Sequence, residues 1–491
     1  MKHQVAERSS PFAPSGYTCV SLVFGLVLSA VILRLQQLPI KFTIAVLVAA
    51  VLVVILILSY RRLPKCVLFL LILSLAVHFE YFIAGPRETY HTGVAAGLTI
   101  GPVHVFLLLL AVHWLLNARS LAPRPIRSSR QITAPLFLLL VTVVLTTLTS
   151  TDKILSFYGL LTYVTGFLLY YCIARNLHSS NDLKLVLVSL QICVAVIGLV
   201  CILQVATGQN FKLTGGVLPE DPYSITFRAA GLSGSPNYTA AYLATLLPIL
   251  LTQVFDFPRG RLGLSPLVAL LLGFVGLFLT ASRGALVSGA FGTVAVLYLL
   301  LRHRYLKGRH LTAALLVLAC LLFLNRDRIL SRIHEGAENL ENRGNLNRTA
   351  AYIIRAYPLF GIGINTYTTQ MDTFTPADVA YEWTYMVHNK YLLVWSEMGT
   401  SAIMFFLWSL VATGIVCLQL IRSPDPLISR AGIGLFGSLL VYVIHMNFEP
   451  YSGGPVVNSL WLYMGIAAAL ADISLPRPAI RTDYAAPPQR G

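Results

Sequence analysis

Long apolar runs alternate along this chain with short polar breaks, and one polar stretch interrupts the alternation. A membrane-crossing helix needs about 20 mostly apolar residues. Runs near that length lie at 17–35, 42–60, 66–84, 95–116, 132–150, 157–174, 184–206, 238–255, 264–281, 284–301, 311–324, 391–419, 431–448 and 456–472. The pattern predicts an all-α, polytopic integral membrane protein with about 12–14 transmembrane helices. The interruption is residues 325–390, which gather Arg, Asn, Tyr and Gly and close on His388-Asn389-Lys390-Tyr391-Leu392. Two amphipathic helices are expected inside it. One covers 325–341, with Ile329, Ile333 and Ala337 at spacings of four; the other runs from Asn347, as N-cap, to Tyr357, before Pro358. The chain thus reads as five regions: an N-terminal bundle (1–206), helices with outer loops (207–324), the long loop (325–390), the C-terminal helices (391–472) and a tail (473–491).

Composition agrees. Hydrophobic residues make up 56% and charged residues only 11%, against about 25% charged in soluble domains. The net charge of +16 would suit nucleic acid, but its placement points to membrane lipids instead. Arg61, Arg62 and Lys65; Arg119, Arg124, Arg127 and Arg130; Arg259 and Arg261; Arg302, Arg304, Lys307 and Arg309; and Arg422 and Arg430 fall in alternate loops. The positive-inside rule puts these loops in the cytoplasm with both termini, and puts 207–237, the Ser282-Arg283-Gly284 turn and 325–390 outside. The first apolar run lacks a clear small-residue cleavage site and is expected to be a retained span. All seven cysteines lie in apolar runs, so neither a disulfide framework nor a zinc site is expected. No GxxxxGK[ST] loop or HExxH is present, and the outer loops hold few carboxylates. Neither a cofactor nor a catalytic metal is expected.

Three outer stations carry candidate chemistry. The first, Arg228-Ala-Ala-Gly231-Leu-Ser-Gly234-Ser-Pro236-Asn237, is a tight turn leading into a helix. Its backbone N–H groups and the helix N-terminus suit an anion, or its arginine snorkels to headgroups. The second is Arg283, nearly without a loop at the bilayer boundary and without a nearby acid in sequence; a phosphate matches its planar fork, as does a lipid headgroup. The third is the long loop. Arg348, Tyr352 and Arg355 share a helix face suited to a diphosphate or a glycan, or simply to solvent. Gly361-Ile-Gly363-Ile-Asn365 reads as a flexible turn, and no strand precedes it to support a dinucleotide site. His388, with an ordinary pKa of about 6.5, is a candidate proton acceptor or a structural residue at the helix start. The histidines His78, His104, His113 and His445 read as core polar groups. Glu397 must be protonated, paired or water-facing, and sits nearly opposite His388 on its helix.

Taken together, Arg228 with Gly231 and Pro236-Asn237, then Ser282-Arg283-Gly284, then Pro358–Asn365, then His388-Asn389-x-Tyr391-Leu392 with Glu397 and Gly399, resemble the O-antigen ligase and polymerase superfamily over about 225–405. The resemblance implies a metal-independent, inverting membrane glycosyltransferase of lipopolysaccharide or polysaccharide biosynthesis in the bacterial inner membrane, with a periplasmic active site. Its donor would be a polyprenyl (undecaprenyl) diphosphate-linked glycan. Its acceptor would be lipid A-core for a ligase or a second lipid-linked glycan for a polymerase. It implies that Arg228 and Arg283 hold the donor diphosphate and that His388 is the general base. Arg348, Tyr352, Arg355 and Asn389 remain candidates for substrate binding. Fourteen apolar runs exceed the twelve spans usual for the ligases, and the arginine-rich repeats of some polymerases are not evident. A transporter or flippase is the non-enzymatic alternative. It would be expected to show inverted repeats with broken helices at the midplane, whereas the polar residues here crowd one face.

Overall fold

The computed structural model describes residues 63–77, 81–85, 97–116, 130–211, 217, 227–254, 266–308, 312, 326, 336–375, 385–452 and 454–474. The chain divides into two compact units, Met1–Cys66 and Val67–Gly491, and every helix around the site belongs to the second. The expected spans at 17–35 and 42–60, and 311–324 apart from Thr312, lie outside the described residues.

The protein is a polytopic all-α membrane protein. Among the described residues, the helices are α1 (Leu63–Ser74), α2 (Pro102–Leu116), α3 (Arg130–Thr149), α4 (Lys153–Asn176), α5 (Ser180–Thr207), α6 (Pro236–Gln253), α7 (Pro266–Leu279), α8 (Arg283–Arg302), α9 (Gly336–Ala356), α10 (Tyr367–Phe374), α11 (Lys390–Ile421), α12 (Pro426–His445) and α13 (Gly454–Ser474). Seven are long and apolar enough to cross a membrane, namely α3, α4, α5, α8, α11, α12 and α13. The expected span at 66–84 differs. Its helix ends at Ser74 after 12 residues, and Tyr81–Ala84 form a strand, β1, paired antiparallel with β2 (Leu98–Ile100). A 12-residue helix reaches only about 18 Å at 1.5 Å per residue, short of the roughly 30 Å hydrocarbon core.

Helix α6 is buried on every side from Thr239 to Gln253, as an all-round apolar sequence predicts. It packs against α7, α8 and α12. Gln253 at its end accepts a hydrogen bond at Oε1 from Gln191 Nε2 of α5, a polar contact inside the bundle. Where α5 meets α7, a Cβ on Gly276 would lie 2.9 Å from the Cα of Gly198, the close approach that small residues permit between membrane helices.

The polar interval is folded onto the bundle by a strap, 358–365. Helix α11 breaks at Gly399 (φ +77°), which leaves backbone groups of the preceding turn without helical partners. The strap supplies them: the N–H groups of Ile362 and Gly363 donate to the carbonyls of Ser396 (3.1 Å) and Glu397 (2.9 Å), and Thr400 N–H donates to the Pro358 carbonyl (2.8 Å). The other edge of the strap ties to the start of α4. Thr151 N–H donates to Ile362 O (3.1 Å), Ser156 Oγ to Ile364 O (2.7 Å) and Asn365 Nδ2 to Leu155 O (2.9 Å). The segment expected to be a flexible turn is therefore a fixed clasp. Glu397 takes part, its carboxylate accepting from Tyr367 N–H at 3.1 Å.

Of the first helix expected in the long loop, 325–341, residue 325 and residues 327–335 lie outside the described residues; the second begins earlier than expected. Within the loop, α9 continues from Gly336 through Asn347, which is mid-helix rather than an N-cap. Continuity follows from its inner face: Leu346, Ala350 and Ile353 pack with Tyr367, Met371, Met386, Val387 and Leu393 in one core. Burial of that stripe stabilises the helix through Gly344.

Candidate functional site

The site sits where one set of helix ends meets: the ends of α5, α7 and α12 and the starts of α6, α8 and α11. Hydrogen bonds define the meeting. Ala229 N–H donates to Leu279 O (3.1 Å) and Lys390 N–H to Met446 O (2.8 Å), while Tyr238 Oη pairs with Ser452 Oγ (3.2 Å). The opposite ends are joined as well, since Ser180 Oγ donates to Asp425 at 3.2 Å.

The first station is shaped by two side-chain amides. Buried Gln204 accepts from Gly231 N–H (2.8 Å) and donates to Gly231 O (3.1 Å). Asn210 does the same across the turn, accepting from Ala230 N–H and donating to Arg228 O, both at 2.9 Å. These amides satisfy a buried turn that lacks a ladder of its own. The fixed turn presents Arg228, whose Nε donates to Thr280 O (3.0 Å) and whose Nη2 donates to Asn237 Oδ1 (2.6 Å). Arg228 thus spans the start of α6 and the turn before Arg283, and the first two stations are one place.

Arg283 is the first residue of α8. Neither α6 nor α8 has a side-chain cap, although α4, α5, α11 and α12 all do. Uncapped first-turn N–H groups carry partial positive charge suited to an anion. Gly284 sits against the turn after α12: a Cβ there would be 3.1 Å from Phe448 Cβ and 3.4 Å from His445 Nε2.

His388 lies just before α11. The cap of that helix is Asn389, whose Oδ1 accepts from Tyr391 N–H (3.0 Å) and Leu392 N–H (3.1 Å). The His388 ring lies 5.2 Å from the Tyr385 ring, and Tyr385 hydrogen-bonds Tyr238 at the start of α6. Nδ1 of His388 is buried without a hydrogen-bond partner among the described residues. Burial first, and the Arg343 charge second, hold His388 down at about 4, so its ring is neutral at physiological pH.

Arg348, Tyr352 and Arg355 are exposed, on the face of α9 away from its buried stripe; the Arg355 guanidinium lies 5.9 Å from the Tyr352 ring centre. The arginine of α9 that reaches the cluster is Arg343, whose charge acts on His388, His445 and Glu449. It stands three residues before Leu346 on the buried side, so a continuous α9 would have revealed it. Glu449 is buried, and burial pushes it up to about 7 against the opposing pull of Arg343, Arg228 and the Asn237 side chain. The signal for it was a lone acid in the turn between the last two spans. Among the described residues, no group of three or more His, Cys, Asp or Glu is arranged to hold a metal ion.

Residues 268–407 match the family model described as O-Antigen ligase. The matched stretch contains Arg283, Arg343 and His388, while Arg228 and the turn after α12 lie beyond it. No curated protein matches the chain.

Proposed function

With residues 268–407 of O-antigen ligase type as the premise, we propose that this protein is a membrane glycosyltransferase that moves a glycan from a polyprenyl diphosphate carrier to an acceptor hydroxyl at the outer face of the inner membrane. The observation that carries the reading is the convergence of Arg228, Arg283 and two uncapped helix N-termini beside a half-buried neutral histidine. The first four features suit a diphosphate, and the histidine suits the proton of an acceptor.

In the proposed step, a lone pair on the His388 ring takes the acceptor hydroxyl proton. The acceptor oxygen attacks the anomeric carbon from the face opposite the carrier. The bond from that carbon to the phosphate oxygen breaks, and its electron pair leaves with polyprenyl diphosphate. Inversion follows from the single displacement. The arginines and the first-turn N–H groups stabilise the charge gathering on the leaving diphosphate. Arg348, Tyr352 and Arg355, exposed on α9, would meet the glycan or the acceptor rather than the diphosphate.

The test is a deletion strain analysed for lipid-linked glycan by mass. Accumulation of the carrier-linked glycan is expected, reversed by the wild-type gene but not by Arg283→Lys, which keeps the charge and loses the paired donors. Full rescue by Arg283→Lys would mean that this arginine serves lipid headgroups.

A further inference from the structure

His445 ends α12 and is fully buried. Its Nδ1 lies 2.6 Å from the Tyr451 hydroxyl, and its Nε2 has no partner among the described residues. Ring and hydroxyl, both buried, share one hydrogen bond, which Tyr451 Oη can donate to Nδ1. Nδ1 is then the acceptor, and Nε2 carries the ring hydrogen. A buried N–H left without an acceptor is costly and calls for an explanation.

The direction of that N–H supplies one. Nε2 is 3.4 Å from the point where a Cβ on Gly284 would stand, so it faces the uncapped first turn of α8 beside Arg283. Arg343 adds positive charge from α9. A fully buried imidazole nitrogen without a partner among the described residues thus lies against an uncapped helix N-terminus that begins with Arg283, within reach of the Arg343 charge.

We propose that His445 is a diphosphate-binding residue: its Nε2–H, held in that tautomer by Tyr451, donates a hydrogen bond to a phosphate oxygen of the carrier at the start of α8. The inference rests on the glycosyl-transfer reading above, and adds to it a ligand contact from outside the 268–407 stretch. His445 is a neutral donor here, and His388 remains the base, so the two histidines have opposite tasks.

The experiment measures polyprenyl diphosphate binding to purified protein in phosphatidylcholine nanodiscs, for wild type, His445→Leu, His445→Gln, Tyr451→Phe and Arg283→Lys. Each variant is checked for thermal stability. Hydrogen bonds to charged groups are strong enough that losing one weakens binding by about tenfold or more. His445→Leu should show that loss. His445→Gln, which returns an N–H near the Nε2 position, should recover most of the affinity, a recovery that a purely structural role would not produce. Tyr451→Phe keeps the ring and frees the tautomer, so binding should weaken several-fold. If wild type binds and Arg283→Lys loses affinity while both His445→Leu and Tyr451→Phe bind like wild type, this inference falls and the functional reading stands. If wild type does not bind polyprenyl diphosphate, both fall. If phosphatidylglycerol nanodiscs abolish binding in a His445-dependent way, the occupant is a lipid headgroup and the assignment to the carrier is overturned.

Discussion

At the scale of single residues, His388 and its neighbour Asn389 separate chemistry from structure. A histidine at a helix start is open to the reading that it caps the helix, but Asn389 holds the N–H groups of Tyr391 and Leu392, the second and third residues of α11. Asn389→Ala should therefore cost stability, about 0.5–2 kcal/mol, read as a lower thermal midpoint. His388→Ala should leave that midpoint nearly unchanged and lower turnover by about 10²–10⁴-fold, the usual contribution of a general base. His388→Gln, unable to take up a proton, should be nearly as slow; a Gln variant above about half the wild-type rate would remove the support for general-base catalysis. The pH profile follows from the same burial. A lowered pKa keeps the ring neutral as pH falls through 6.5, so the acid limb of kcat/KM due to His388 should lie near pH 4. It is best read in Glu449→Gln, which removes the carboxyl raised to about 7. An acid limb near 6.5 in that variant would contradict the buried setting. The arginines of the first two stations were legible because each stands in a polar turn between apolar runs. Arg343, His445 and Glu449 were not, because what makes them neighbours is long-range packing that leaves no local spacing.

At the scale of elements, the strap and α9 make opposite predictions for two glycines. Gly399 has φ +77°, and a Cβ there would lie 2.1 Å from the Leu359 carbonyl oxygen. Gly399→Ala should detach the strap and loosen α11 around its break, with a large loss of thermal stability. Gly344 lies inside α9, and a Cβ there would have nothing within 4 Å. Alanine at that position should stabilise the protein by about 0.5–1 kcal/mol, whereas a helix broken at that point would gain nothing or lose. The helices α3 to α8 and α11 to α13 were legible in outline because apolar runs of bilayer length leave few alternatives. The strap was not, because its partners near Thr151 and Ser156 lie more than 200 residues away in sequence. Its glycines read as flexibility when their role is close approach of backbone to backbone.

At the scale of the whole molecule, the ends that carry Arg228, Arg283, His388 and Glu449 gather on one side of the bundle. The turn holding Arg422 and Ser423 lies at the other, beside the start of α5. In the proposed orientation, the basic loops put that second side in the cytoplasm. Asn345→Cys should then react with a membrane-impermeant thiol reagent in intact spheroplasts, and Ser423→Cys only after lysis; the reverse pattern would place the site away from an outer-leaflet donor. The most direct measurement is transfer itself. Purified protein is reconstituted with a polyprenyl diphosphate-linked glycan and a lipid acceptor, in the presence of a chelator and without ATP. Glycosylated acceptor of inverted anomeric configuration is expected, with one polyprenyl diphosphate released per glycan moved and the activity lost in His388→Ala. No transfer to any lipid acceptor by the wild-type protein, or transfer that survives His388→Ala at full rate, would contradict glycosyl transfer with His388 as its base.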